Sequence, residues 1–269
     1  MYYKQTVVAG VTQEIYRGHV PEGYIKRSGK NKPSKEEIEA GNRKKAESNL
    51  RRLINANFGP GDYHVTLTYR KDDRPEEAAA KKSLDKFIRD MKKEYKKAGQ
   101  QFKYVHVTEY LNKNIHHHIV LNNIPGMDVT GKINKLWPYG YTRLSVLDES
   151  GQYKDLAAYL IKETDKTFRT SEIRKQRYSH SRNLAIPVVT TEKINRSDNW
   201  HEVPKVPKGY VLDKDTLVNG INPYTGTKYQ KYTLIRVAAE DKVTATQQAR
   251  IDREYRKAVK EGKKRKRKT

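Results

Sequence analysis

Between residues 63 and 147 the apolar positions change period in a set order, and that order leaves few folds open. Tyr63, Val65, Leu67 and Tyr69 alternate with His64, Thr66 and Thr68, the period of a half-buried strand. Asp73-Arg74-Pro75 then opens a helix, proline being tolerated in a first turn, and Leu84, Phe87, Ile88, Met91 and Tyr95 recur at helical spacing. Strands are predicted over 104–110 and 115–121, joined as a hairpin by Leu111-Asn112-Lys113-Asn114. Asp128 caps a short helix carrying Val129, Ile133 and Leu136, and a fourth strand covers 141–147. The order β-α-β-β-α-β predicts an α+β protein with a ferredoxin-like, split β-α-β antiparallel sheet. Right-handed crossovers put both helices on one face and leave the other face open. A helix predicted over 154–164 would lie by that open face. Many functions use this fold, so the side chains must decide the function.

The flanks carry weaker signals. Residues 2–16 alternate enough for one or two edge strands, and the Gly-, Lys- and Pro-rich segment 22–34 reads as loop. Ser34-Lys35-Glu36-Glu37 is a capping-box pattern, starting a helix that should run to about Asn55. Its basic positions, Arg43, Lys44, Lys45, Arg51 and Arg52, suit either a phosphate backbone or plain solvent. Beyond residue 190, prolines and glycines punctuate a loop-rich region with two or three short strands. Six consecutive basic residues, Lys263 to Lys268, suggest a disordered nucleic-acid-binding tail. Three regions are expected: 1–55, strands and basic helix packed on the core; 56–190, the central domain; and 191–269, an accessory region.

Charge narrows the partners. The chain has 56 Lys+Arg against 32 Asp+Glu, a formal net charge of +24. That excess repels itself unless an anionic polymer is the partner, and nucleic acid gains affinity through counterion release. There are no cysteines, so any metal must be held by His, Asp, Glu or Asn. The N-terminal residues show no signal-peptide pattern, and no apolar run reaches the ~18 to 20 residues of a membrane span. A soluble protein with no membrane partner is expected.

The strand 115–121 carries the chemistry. Side chains alternate across a strand, so His116 and His118 share one face, while Ile115, His117, Ile119 and Leu121 share the other and should meet the helices. If Tyr110 and Ile115 close the connector, Glu109 sits opposite His116 and Val107 opposite His118. Glu109 then completes a His-His-carboxylate set suited to Mg²⁺ or Mn²⁺ acting on a phosphate, with zinc or nickel able to substitute in vitro. A register slip of one residue would turn Glu109 to the wrong face. In the helix over 154–164, Tyr159 and Lys162 share a face that would look towards the same site. Tyrosine is a poor nucleophile near neutral pH, and a neighbouring ammonium or a metal-bound phosphate would favour its phenolate. Tyr159 beside Leu156 and Leu160 is equally readable as ordinary packing.

Together these pieces resemble the HUH endonuclease superfamily, specifically single-tyrosine rolling-circle replication initiators of phages and plasmids. The resemblance covers roughly residues 40–190. It rests on the strand 63–69, on His116-His117-His118 with Glu109 upstream, on Tyr159-Leu160-Ile161-Lys162, and on the basic stretch 177–184. His117 departs from the family's bulky hydrophobe, which leaves open which two of the three histidines bind metal. The resemblance implies metal-dependent nicking and joining of single-stranded DNA at an origin, which can be a hairpin, through a 5′-phosphotyrosyl link to Tyr159. It implies that Lys162 stabilises developing charge and that Lys166, Arg177 and Arg182 hold the strand. It further implies a bacterial cytoplasmic setting. No Walker-type motif is present, so a host helicase and polymerase are implied partners. The alternatives are an HUH transposase or mobilisation nuclease, disfavoured by motif order, and a non-catalytic nucleic-acid-binding module.

Overall fold

A computed structural model describes residues 2–19, 34–111, 114–170, 176–194, 200–222 and 226–237, with only the backbone described at 111, 114 and 166–170. In chain order the elements are β1 (Tyr2–Ala9), β2 (Thr12–His19), α1 (Lys35–Asn57), β3 (Tyr63–Thr68), α2 (Glu77–Lys97), β4 (Tyr104–Leu111), β5 (Asn114–Leu121), α3 (Val129–Leu136), β6 (Thr142–Val146), α4 (Lys154–Thr170), β7 (Ser179–His180), β8 (Val189–Ile194), β9 (Tyr210–Ile221) and β10 (Lys228–Arg236). The strands form two five-stranded antiparallel sheets. Most of the loop 22–34, the middle of the 111–114 connector and the basic tail lie outside the described residues.

The chain divides into two compact units, the larger comprising residues 8–11 and 26–188. Its sheet has the order β6-β3-β5-β4-β7. The first four of these strands, with α2 and α3, reproduce the expected β-α-β-β-α-β order, and β7 extends the edge. On one face Val65, Leu67, Ile115, Ile119 and Leu121 meet Leu84, Phe87, Met91 and Tyr95 of α2 and Val129 and Ile133 of α3. These helix positions repeat at three and four residues, so burying one stripe buries them all. Trp137 closes this core, fully buried, with its indole Nε1 donating to the Thr68 carbonyl at 2.8 Å. Gly140 passes so close to β3 that a Cβ there would strike the same carbonyl.

The second face is open only in part. Val105 and Val107 of β4 and Val120 of β5 pack beneath Leu50, Leu53 and Ile54 of α1 and Ala157, Leu160 and Ile161 of α4. The apolar half of this face is thus covered, while its polar half, towards Glu109 and His116, is left as a notch. The helix starts reflect their caps. Ser34 Oγ accepts from Glu37 N at 3.2 Å, and the Glu37 carboxylate accepts from Ser34 N at 2.8 Å, the reciprocal pair the sequence predicts. Asp128 caps α3 through Gly131 N at 2.8 Å. The expected opening at Asp73-Arg74-Pro75 is corrected: Lys71–Asp73 forms a 3-10 turn, and α2 begins at Glu77 after an extended Glu76. Proline restricts the residue before it to extended backbone, which separates the turn from the helix.

The smaller unit comprises residues 1–7, 12–25 and 189–269. Its sheet order is β8-β1-β2-β10-β9, so β1 and β2 are interior strands and not edges. Their partners β8 and β10 lie nearly a chain length away, a pairing that no local period reveals. The expected 1–55 block is therefore divided: β1 and β2 pair with strands of the C-terminal region, while α1 packs in the core of the larger unit. Nor are the late strands short, since β9 runs for 12 residues and β10 for 9. Ile15, Tyr232 and Leu234 form a small core, and Tyr16 stacks on Tyr229 with ring centroids 6.0 Å apart. Gly18 and Gly220 lie directly under these rings, where a Cβ would stand 2.6 Å from ring carbon.

Candidate active site

The notch is built by register. Glu109 pairs with His116 and Val107 with His118 across β4 and β5, while β3 pairs Thr68 with His116 and Thr66 with His118. Opposed residues share a sheet face, so Glu109, His116, His118, Thr66 and Thr68 project together. One Glu109 carboxylate oxygen, Oε2, lies 3.6 Å from His116 Nδ1 and 3.7 Å from His118 Nε2. Thr66 Oγ1 sits 3.2 Å from His118 Nδ1 and orients that ring from the other side.

His117 faces the opposite core. It is fully buried, 3.0 Å from Tyr69 Oη through Nε2 and 2.8 Å from Thr108 Oγ1 through Nδ1. Its ring packs edge-on against Trp137 at 5.6 Å. With both ring nitrogens engaged on the helix side, His117 has no access to the notch. The choice among the three histidines is thereby closed in favour of His116 and His118.

α4 brings the tyrosine. Ala157, Leu160, Ile161 and Thr164 form its buried stripe, and Thr164 Oγ1 turns back to the Leu160 carbonyl at 3.0 Å. Tyr159 lies off that stripe, 42% exposed, with its ring edge-on to His118 at 5.5 Å. α4 is held in place at Asp165, which pairs with Arg177 and lies 3.8 Å from Arg43 of α1. The Arg177 side chain is buried to 6% exposure in that pair, which makes it a brace for α4 and not a free contact for a nucleic acid strand. Lys162 and Arg182 are exposed, and the Lys166 side chain lies outside the described residues.

Sequence reasoning missed four neighbours. His64 stacks on His118 at 5.5 Å and meets Tyr159 edge-on at 6.3 Å. Its place on β3, alternating with Thr66 and Thr68, was a readable signal for the shared face. Glu163, four residues after Tyr159 and therefore on its side of α4, hydrogen bonds to Glu109. Arg143, opposite Thr66 on β6, and Arg74 supply positive charge to the site. No local pattern marks either arginine.

The electrostatics are those of a site short of a cation. Burial, then repulsion and a shared hydrogen bond with Glu163, pushes Glu109 up to about 7. Burial drives His118 down to about 3 and His64 down to about 4, and lowers His116, so the imidazoles are neutral with lone pairs available. His64 Nε2 and His118 Nε2 are buried without a hydrogen-bond partner among the described residues. Tyr159 is raised above its ordinary value by burial and by Glu163 and Glu109, with Arg143 opposing. The cation acting on the phenol is therefore Arg143, not the expected Lys162. No set of three or more His, Asp or Glu side chains among the described residues is already drawn into a metal-binding arrangement. The donor types nevertheless fit a divalent ion, since two neutral imidazoles and a carboxylate converge on one point and one imidazole nitrogen is orphaned.

Residues 62–168 match a family model for replication-associated proteins of the ORF2 type. The matched segment begins just before β3 and ends within α4, so it contains the split β-α-β sheet, the histidines, Glu109 and Tyr159. It spans less than half of the chain, and β1, β2, α1 and everything after α4 lie outside it. A replication-associated role follows for this segment. No curated protein and no solved structure matches the chain. No helix among the described residues is long and apolar enough to cross a membrane.

Proposed function

We propose that the protein is a rolling-circle replication initiator of the HUH type, which nicks and rejoins single-stranded DNA through Tyr159. The observation that carries this reading is the meeting of Tyr159 with His118 at 5.5 Å, above a Glu109 oxygen shared between His116 and His118. The match to a replication-associated family supports it independently.

His116, His118 and Glu109 would hold a divalent ion, Mg²⁺ or Mn²⁺, which when bound supplies Lewis-acid polarisation of the scissile phosphate. The remaining work falls to the chain. The Tyr159 oxygen attacks phosphorus in line, the bond from phosphorus to the 3′ oxygen breaks, and that oxygen leaves as a free 3′-OH after taking a proton. The phenol proton must go elsewhere, and the carboxylates of Glu163 and Glu109 act on the phenol from close by. Arg143 favours the phenolate. Thr66 fixes the His118 ring so that Nε2, not Nδ1, faces the notch. The reverse transfer to a new 3′-OH rejoins the strand. The 3′-OH left by nicking is a primer, so a host polymerase and helicase are the partners this chemistry calls for.

The test is cleavage of single-stranded DNA carrying the element's own origin, with Mn²⁺ and with chelator, for wild type and Tyr159→Phe. A metal-dependent covalent adduct that disappears in the variant is the expected result. Binding without any adduct, across metals and origin sequences, would overturn the reading.

A further inference from the structure

A second groove lies away from the notch, between α2 and the β4–β7 edge. Its volume is about 750 Å³, within the range of ligand clefts. Its floor is Ile88, Phe102 and Tyr104, and the Phe102 and Tyr104 rings lie 5.1 Å apart. Its rim carries four cations, Arg89, Lys92 and Lys96 from α2 and Arg182 from the facing segment, against one carboxylate, Asp85. The facing wall is fixed: Ser181 N donates to the Tyr104 carbonyl at 2.9 Å, Tyr104 N to Ser181 Oγ at 3.1 Å, and Asn183 Nδ2 to Gln101 Oε1 at 3.1 Å.

What separates this rim from the general basic surface is how its charges are used. Other lysines of α2 are neutralised within the protein. Lys86 and Lys93 hold Asp90 at 3.1 and 3.0 Å, and Lys97 holds Glu94 at 2.6 Å. Arg89, Lys92, Lys96 and Arg182 are exposed and have no ion pair among the described residues. Spaced three and four apart, Arg89, Lys92 and Lys96 form one row along the helix. A row of uncompensated cations beside an aromatic floor is the pairing that accepts a single strand, phosphates on the rim and bases on the rings.

We propose that this groove binds single-stranded DNA as a second strand-holding site, distinct from the notch that reacts with it. The choice of single-stranded DNA as occupant rests on the proposed function, and the cation row and aromatic floor are the independent argument. From Glu109 to Tyr104, β4 advances about 16 Å at ~3.3 Å per residue, and the two sites face opposite sides of the sheet. A strand engaged in both must therefore pass around the β7 edge, so the groove holds DNA flanking the nick and not the scissile nucleotides.

The test compares two triple variants of the full chain with equal charge loss on the same helix. One is Arg89→Gln, Lys92→Gln and Lys96→Gln in the groove; the other is Lys86→Gln, Lys93→Gln and Lys97→Gln among the paired lysines. Binding of fluorescein-labelled single-stranded oligo(dT) is measured against salt, after circular dichroism confirms that both variants are folded. The groove variant should bind about tenfold more weakly near physiological salt, with the salt slope reduced by about 2 for three lost phosphate contacts. The control variant should keep the wild-type slope. Equal losses in both, or no loss in either, would overturn the proposal. So would a groove variant that loses duplex binding while single-strand binding stays intact. Tyr159→Phe, measured alongside, should bind as wild type does, so a failure of the nicking reading leaves this result standing and separately readable.

Discussion

The two faces of the β3-β4-β5-β6 sheet use the same residue type in opposite ways. On the helix-covered face, His117 has both ring nitrogens engaged, by Tyr69 and Thr108, and packs against Trp137. On the notch face one residue further on, His118 is as deeply buried but keeps Nε2 without a hydrogen-bond partner among the described residues. A buried polar atom left unsatisfied costs roughly 1–3 kcal/mol, so a fold keeps one only where something else is to bind. One pleat step thus separates a histidine that holds the core together from one held ready for a ligand.

The comparison breaks most sharply at Tyr159. Tyr159→Phe keeps the ring contact with His118 and should lower adduct formation on the order of 10³-fold or more, because the attacking oxygen is gone. A denaturing gel with labelled DNA reads this directly, and residual adduct at wild-type yield would remove Tyr159 from the mechanism. Next come His118→Ala and His117→Ala as a pair. The first should reduce metal-dependent cleavage by on the order of 10²-fold and leave the melting temperature nearly unchanged. The second should cost about 2–4 kcal/mol of stability, since Tyr69 and Thr108 lose a buried partner and a cavity opens. Thermal melts and cleavage rates of both proteins test the pair, and equal behaviour would erase the distinction between the faces. Trp137→Ala sharpens the structural side. It should destabilise by about 3–5 kcal/mol, read by urea denaturation, and a loss under about 1 kcal/mol would show that the indole is not a core element.

The smallest effect concerns the outer surface of the helix-covered face. Lys132 of α3 and Lys97 hold the Glu94 carboxyl down to about 2, from an ordinary 4.5. A depressed carboxyl contributes stability above its unfolded value and loses it as pH falls through the folded one. Lys132→Met should therefore move the acid-unfolding midpoint slightly upward in pH, as followed by circular dichroism. An unmoved midpoint would mean that this exposed pair contributes nothing.

Legibility in the sequence followed the range of the interactions. The strands of the larger sheet and the Glu109–His116 register were readable, because alternation and a short connector are local facts. The capping box of α1 was readable for the same reason. The pairing of β1 and β2 with strands near the far end of the chain was not, since nothing in residues 2–19 encodes their partners. Within the site, Tyr159 and the two histidines stood out by type and spacing. Glu163 had the right helical spacing but was passed over for Lys162, whose charge suited a phenolate better. Arg143 reaches the tyrosine only through sheet order, and Arg177 was taken for a strand contact because its partner Asp165 is twelve residues away.

The central claim is that one tyrosine of the 19 in this chain is the nucleophile. The most direct measurement is mass spectrometry of the protein after reaction with origin single-stranded DNA and Mn²⁺, with nuclease trimming and proteolysis. The account predicts a nucleotide 5′-phosphate linked to Tyr159, in the peptide 155–162, and its absence when chelator is present. A nucleotide linked to any other tyrosine, or adduct formation unaffected by chelator, would contradict it.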